Sequence, residues 1–330
     1  MLAVGPAQPM EQRLAIQIGD ERRKAIADVG LVGAAQPGDE VIVNVEAVEL
    51  GLGSGGLDIV HCNLSRGLDG QGTPRAHVMK LNYTSLQHAV LPVEEGDPEG
   101  LPAQPRLPLR RPAAVFALHG QLAPVAWAFA QATGGEARLG YVQTAGGALP
   151  GGHSCVVREL RDGGLLAGHL TAGAAFGGID GESITTAAAL HHALAERGWD
   201  AALVGPGPGI LGSGSALGHG GLQALDSAHT ALALGCEALI VARMSSTDMR
   251  ARHRGLSHHT RTVLDLLLAP VAVAIPAGET PADERHDWRA LPADLDGYGA
   301  SGLPTRSMGR EDPLFFAAAL AAGGALAQMT

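Results

Sequence analysis

The chain has 330 residues, 46% of them hydrophobic and 17% charged, with a net charge of −10. Such a chain is not wholly disordered, can bury a core without a disulfide or metal staple, and is long enough for two domains at about 100–200 residues each. Aromatics at 3% and the acidic balance argue against a base-stacking platform or a general binder of phosphate backbones, so no nucleic-acid partner is expected.

The first 13 residues show no basic stretch leading into an apolar one, so no signal peptide is read there. No run approaches about 18 apolar residues free of glycine or charge, so no membrane span is expected. Residues 12–90 hold short Val/Ile/Leu-rich runs (RLAIQIG, DEVIVNVEAVEL, GLDIVHCNL, RAHVMKLNY) broken by turns such as Pro37-Gly38-Asp39. They predict a small β-rich domain, barrel or sandwich, over 1–95. The prolines and missing periodicity of 96–112 read as a linker.

From 113 onward short apolar runs at 113–119, 137–144, 165–173, 201–207, 238–245 and 271–276 alternate with helical stretches at 121–133, 182–197, 216–234 and 258–269. The segment 154–161 reads as a short helix or part of a hairpin. Buried runs alternating with helices predict an α/β domain over 113–330, a doubly wound and mostly parallel sheet. The stretch 283–311 is polar, and a last helix at 312–329 is expected to pack back on the body. Cys62, Cys155 and Cys236 are odd in number and form no CxxC, so neither a disulfide framework nor a cysteine zinc site is expected. Reduced thiols fit a cytoplasmic location.

Ligands of open parallel sheets bind beyond the carboxyl ends of the strands, and the unusual residues gather there. Five turns, near His119, Thr144, Thr171, Gly205 and Arg243, suggest one crevice, although each alone suits an ordinary tight connection. Gly207, Gly209 and Gly212 fit GxGxxG between a strand and a helix. Glycine lets backbone approach a phosphate, and helix N-terminal amides bind the anion. A rigid turn with close helix packing would need the same glycines. Two prolines stiffen the loop, it follows the fourth strand rather than the first, and the next strand ends in Arg243 where NAD binding favours an acid.

The segment 248–261 gathers Arg250, Arg252, Arg254 and Arg261 with His253, His258 and His259, and Ser257 is placed to cap a helix. Arginine forks suit carboxylate or phosphate, and histidine exchanges protons near neutral pH. A solvated basic turn is the plain alternative. Adjacent His258 and His259 point about 100° apart on a helix, so at most one is expected in a shared metal site, and no metal site is assigned. Ser154 in GGHSC matches GxSxG only loosely, without the second glycine.

YVQTAGGALP, HLTAG with AFGG, VGPGPGILGSGSALGHGG and RMSSTDMRARHRGLSHHT, with VELGLGSGG and HVMKLNYTSLQ upstream, resemble the bacterial domain-of-unknown-function family 3866 over roughly residues 12–275. The resemblance implies no established activity. It also implies an aspartate where this chain has Ala145, and one directly after AFGG where Ile179 here precedes Asp180, so a catalytic or metal role of either would be altered.

The expectation is an enzyme acting on a small anionic, phosphorylated or nucleotide-like substrate. Gly207, Gly209, Gly212, Ser213, Gly214, Ser215, His219, Arg243, Ser245, Arg250 and Arg252 would bind it. His258, His253 or His119 would serve as acid/base, with Asp248 orienting a histidine. No reaction type or cofactor is selected. A non-catalytic ligand-sensing module and an NADP-dependent oxidoreductase using Arg243 are the alternatives, and a homo-oligomer stays open.

Overall fold

The computed structural model describes residues 3–4, 10–52, 55–67, 73–94, 96 and 101–330. The chain divides into two compact units, Met1–Leu91 and Pro92–Thr330.

In the first unit, β1 (Ala3–Val4), β2 (Glu11–Ile18), β3 (Glu21–Asp28), β4 (Val41–Asn44) and β5 (Asp58–Asn63) form an open sheet in the order β1-β2-β3-β5-β4. Short helices α1 (Val29–Val32) and α2 (Glu46–Glu49) join its strands, and β6 (Val78–Lys80) pairs with β7 (His88–Val90) as a separate ribbon. Leu14, Ile16, Ala25, Ala27, Val32 and Val60 make its core. Strand β3 was not foreseen, because its first half, ERRK, carries no apolar alternation. Pairing with β2 and a two-pronged ion pair from Arg23 to the buried Asp58 on β5 (2.7 and 2.9 Å) hold it in place.

The second unit contains β8 (Pro112–Phe116), β9 (Leu139–Thr144), β10 (Gly168–Ala172), β11 (Glu182–Ser183), β12 (Ala201–Pro206), β13 (Glu237–Val241), β14 (Met244–Ser245), β15 (Gly255–Leu256), β16 (Ala272–Pro276) and β17 (Asp287–Leu291). Eight of these form one sheet, β11-β10-β9-β12-β8-β13-β16-β17, in which every pair is parallel. Apart from Glu237 at the start of β13, the residues of its six inner strands are buried on both sides, as a sheet covered on both faces requires, and the polar ones among them (Gln143, Thr144, His169, Thr171) lie on β9 and β10. The helices are α3 (Leu122–Ala132), α4 (Cys155–Asp162), α5 (Thr186–His191), α6 (Gln223–Ala233), α7 (His258–Leu266), α8 (Leu295–Gly299) and α9 (Pro313–Gln328). One face buries Leu190 of α5, Ala228 of α6 and Val263 of α7; the other buries Val125 and Phe129 of α3, Leu160 of α4 and Ala322 of α9. The fold is a doubly wound α/β sheet.

Three elements differ from expectation. The polar stretch 283–311 supplies the edge strand β17 and helix α8. The helix expected from 216 begins at Gln223, and residues 211–219 form a loop instead. The end of the proline-rich segment pairs with the α/β unit: Leu109 and Arg110 donate backbone N–H groups to the carbonyls of Leu234 and Gly235 (2.9 and 3.0 Å).

Candidate functional site

Strand β8 lies between β12 and β13, so the turns after these three strands are neighbours at the carboxyl edge. The chain runs from β8 toward β9 on one side and later from β12 to β13 on the other, which opens a crevice where the order reverses. The turn after β8 carries His119, the one after β12 the glycine loop, and the one after β13 Arg243.

The glycines first serve close packing. A Cβ on Gly220 would overlap the carbonyl of Gly146, and a Cβ on Gly207 would overlap the carbonyl of Ala148 and lie 2.6 Å from Gln143 Nε2. The loops after β9 and β12 therefore touch backbone to backbone. Gly209 takes a φ of +73°, open to glycine and strained for other residues. Gly212 is unconstrained: its Cβ would meet only His219 Cβ, at 3.8 Å. Ser213 Oγ bonds Ser215 Oγ and the Gly218 carbonyl, both at 3.1 Å, so these hydroxyls close their own loop. A dinucleotide fingerprint needs its helix directly after the glycines. Here α6 starts at Gln223, beyond the whole 211–219 loop.

The short β14–β15 hairpin folds 246–254 back beside this loop. The ring of His219 stacks on His259 (3.8 Å between centroids, 9°), and Gly214 faces Arg252, whose Nη2 would lie 3.8 Å from an added Cβ. The two expected halves of the site thus meet. His253 stands 4.8 Å from His258 and 4.9 Å from His259, ring to ring, so imidazoles from three places share one patch. Ser257 caps α7, accepting from the His259 N–H (3.3 Å), and its Oγ also bonds His253 Nδ1 (2.7 Å).

His258 and His259 do not diverge as helical spacing implies. The ligating atoms of His219, His258 and His259 lie within 4.8 Å of one another. They occupy the first turn of α7, where Arg243 Nη1 donates to His259 Nδ1 (2.8 Å) and holds that ring inward, while His258 turns its edge toward His219.

Burial, reinforced by Arg243, pulls His259 down to about 2; burial with Arg243 and Arg250 pulls His253 to about 3. His219 and His258 are lowered for the same first reason, with Arg243 adding to both. All four are neutral at pH 7.

Asp248 orients no histidine. Its buried carboxylate accepts a two-pronged bond from Arg250 (3.0 and 2.8 Å) and another from Arg310 Nη2 (3.0 Å), with Arg243 at 3.8 Å. The hydrogen bond from Arg250 holds it well below the usual carboxylate range. Arg250 is thereby committed to Asp248, and Ser245 Oγ donates to Asp312, which also bonds Ser246. Arg243 is 2% exposed, its Nε–H has no acceptor, and burial lowers its pKa to about 10. His219 is 7% exposed with both ring nitrogens unbonded, and the buried His258 Nε2 is unbonded too.

His119 stands apart from this patch. Its Nε2 lies 2.8 Å from Ser154 Oγ and its Nδ1 faces the Pro206 carbonyl at 3.3 Å. Beyond it Tyr141 stacks on the buried His169, whose backbone N–H donates to Asp180 (2.7 Å); Arg161 pairs with the same carboxylate. Asp180, one residue late after AFGG, is therefore structural here. Arg310, from the polar stretch, and Asp312, at the start of α9, carry no sequence signal that would link them to this edge.

The model of the family described as "Protein of unknown function (DUF3866)" matches residues 24–323, and the chain belongs to that family. No curated protein and no solved structure matches it.

Proposed function

We propose that the protein binds a small oxyanion, a phosphate or phosphorylated metabolite, between the loop 211–219 and the segment 243–259, and acts on it as an enzyme. The observation that carries this reading is Arg243. Three guanidiniums (Arg243, Arg250, Arg310) share Asp248, and Asp312 also acts on Arg243. The buried guanidinium is left with an unused N–H beside unbonded imidazole nitrogens. An uncompensated buried charge and unpaired buried donors are costly, and an oxyanion satisfies both. Exposed Arg252 lies beside Gly214 and would add a second guanidinium. Fixed donors aimed at developing charge usually give the largest catalytic contribution. His253, its Nδ1 bonded to Ser257 Oγ, packs beside His258 and His259 at the edge of this site.

The experiment is isothermal titration with inorganic phosphate, pyrophosphate and nucleotides against wild type and Arg252→Ala. Loss of a charged hydrogen bond is worth about 1.5–3 kcal/mol, so Arg252→Ala should weaken the tightest binder roughly ten- to a hundred-fold. Equal affinity in both proteins, or no binding of any of the three, overturns the reading.

A further inference from the structure

We propose that His219, His258 and His259 form a site for one divalent transition metal of the zinc class, and that the metal releases Arg243 to bind the oxyanion. The inference rests on the anion-binding reading for its second half; the metal site stands on its own geometry.

Three imidazoles present ligating atoms within 4.8 Å of one another. Zinc–nitrogen bonds of about 2.0–2.1 Å set neighbouring donors about 3.4 Å apart, so the widest pair must close by about 1.4 Å. A turn of the side chains can supply that, because among the described residues neither His219 nitrogen is held by a hydrogen bond. Buried polar atoms are nearly always bonded, so the idle nitrogens of His219 and His258 Nε2 point to a missing partner. Neutral imidazole is the form that ligates, and imidazole without thiolate or carboxylate suits zinc, copper or nickel rather than magnesium or calcium. Three protein ligands leave a fourth position open, as in catalytic zinc sites.

The bond from Arg243 to His259 Nδ1 sets the coupling. While that nitrogen accepts, the ring hydrogen of the neutral imidazole sits on Nε2. If Nδ1 binds the metal, its lone pair is lost to Arg243. If Nε2 binds, its hydrogen exchanges through solvent to Nδ1, and two N–H groups would face each other. By either route Arg243 loses its acceptor. Its Nη1 then joins the idle Nε–H as a donor for an oxyanion in the fourth position. Three neutral ligands cancel none of the metal charge, so that anion also balances the site. His258, expected as acid/base, becomes a ligand.

The test is titration of metal-free full-length protein with cobalt(II) and zinc, with and without inorganic phosphate. One equivalent of cobalt should give the visible d–d bands of tetrahedral nitrogen coordination, and His219→Gln or His258→Gln should weaken zinc at least ten-fold. His192→Gln, outside the cluster and bonded to Glu196, should leave it unchanged. Phosphate should tighten zinc in wild type, and zinc should tighten phosphate by the same factor. No d–d band in wild type overturns the metal site, whatever the variants do. Zinc binding unaffected by phosphate overturns the coupling and counts against the anion reading. Phosphate bound equally by metal-free, zinc-loaded and His219→Gln proteins keeps the anion reading and overturns this inference.

Discussion

Ser154 Oγ lies 2.8 Å from Nε2 of His119, the spacing of a nucleophile and its base, yet the surroundings assign the pair to structure. Ser154 is the N-cap of α4, and its Oγ accepts from the Val157 N–H at 3.2 Å. The lone pair a nucleophile would use is thus shared with the helix, and the first-turn donor that could hold an oxyanion is occupied. Burial lowers His119 to about 4, which makes it a weak base. Ser154→Ala should therefore cost about 0.5–2 kcal/mol, the usual worth of a serine cap, seen as a lower Tm. A fluorophosphonate probe should not label the wild-type protein. Stoichiometric labelling at Ser154 would refute this and revive a hydrolase reading.

Acid should weaken the fold through His169. The ring is fully buried, and burial, with His119 and Arg161 adding and Asp180 opposing, lowers it to about 3. In the unfolded chain it titrates near 6.5. Between these values the unfolded state holds a proton that the folded state lacks, so stability is full above about pH 6.5 and falls as pH drops toward 3. The slope from one such group approaches about 1.4 kcal/mol per pH unit. His119, half-buried, adds less in the same direction. Urea unfolding at pH 7.5 and pH 5 should show the midpoint falling, and falling less in His169→Gln. An equal drop in both proteins would remove His169 as the cause.

The parallel sheet was legible because burial on both faces writes continuous apolar runs into the sequence, and the runs at 113–119, 201–207 and 271–276 became β8, β12 and β16. Strand β3 was not, because ladder pairing to β2 overrides the polar ERRK half. The convergence of 211–219 on 243–259 followed from their strands lying on either side of β8. Which nitrogen faces which could not be read. The inward turn of His259 depends on a guanidinium sixteen residues earlier in the chain, and Arg310 reaches Asp248 from a segment with no pattern of its own. Local spacing gave 100° between adjacent histidines; tertiary contacts set where the rings ended.

The glycine loop gives opposite predictions at two positions. Gly220→Ala should disrupt the site, because the new Cβ collides with backbone, the carbonyl and Cα of Gly146, which cannot swing aside. A cost of about 1–3 kcal/mol is expected from such overpacking, with His219 displaced and phosphate affinity lost. Gly212→Ala should leave both stability and phosphate binding nearly unchanged, since its nearest neighbour would be 3.8 Å away. A dinucleotide fingerprint predicts the reverse at Gly212, where the third glycine is needed for helix packing. Thermal melts and phosphate titration of the two variants decide between them.

Asp248 should be the residue whose loss the anion can partly repair. Its side chain is fully buried, and Arg250, Arg310 and Arg243 all converge on it. Asp248→Asn keeps the shape and removes the negative charge, leaving the guanidiniums facing an amide. Breaking a buried ion pair by removing one partner costs about 3–5 kcal/mol. Exposure of Arg250 and Arg310 at their outer edges lets water screen part of that, so the lower end is expected. The released arginines turn the patch more positive, and an oxyanion between them supplies the missing charge. Saturating inorganic phosphate should therefore raise the Tm of Asp248→Asn by more than it raises wild type. Loss at low pH should shrink as well, because the native carboxylate, held below the usual range, stabilises the fold above the unfolded pKa and is lost only as pH falls through its depressed value. An equal phosphate shift in both proteins would show that the anion, if it binds, sits away from Asp248 and its arginines.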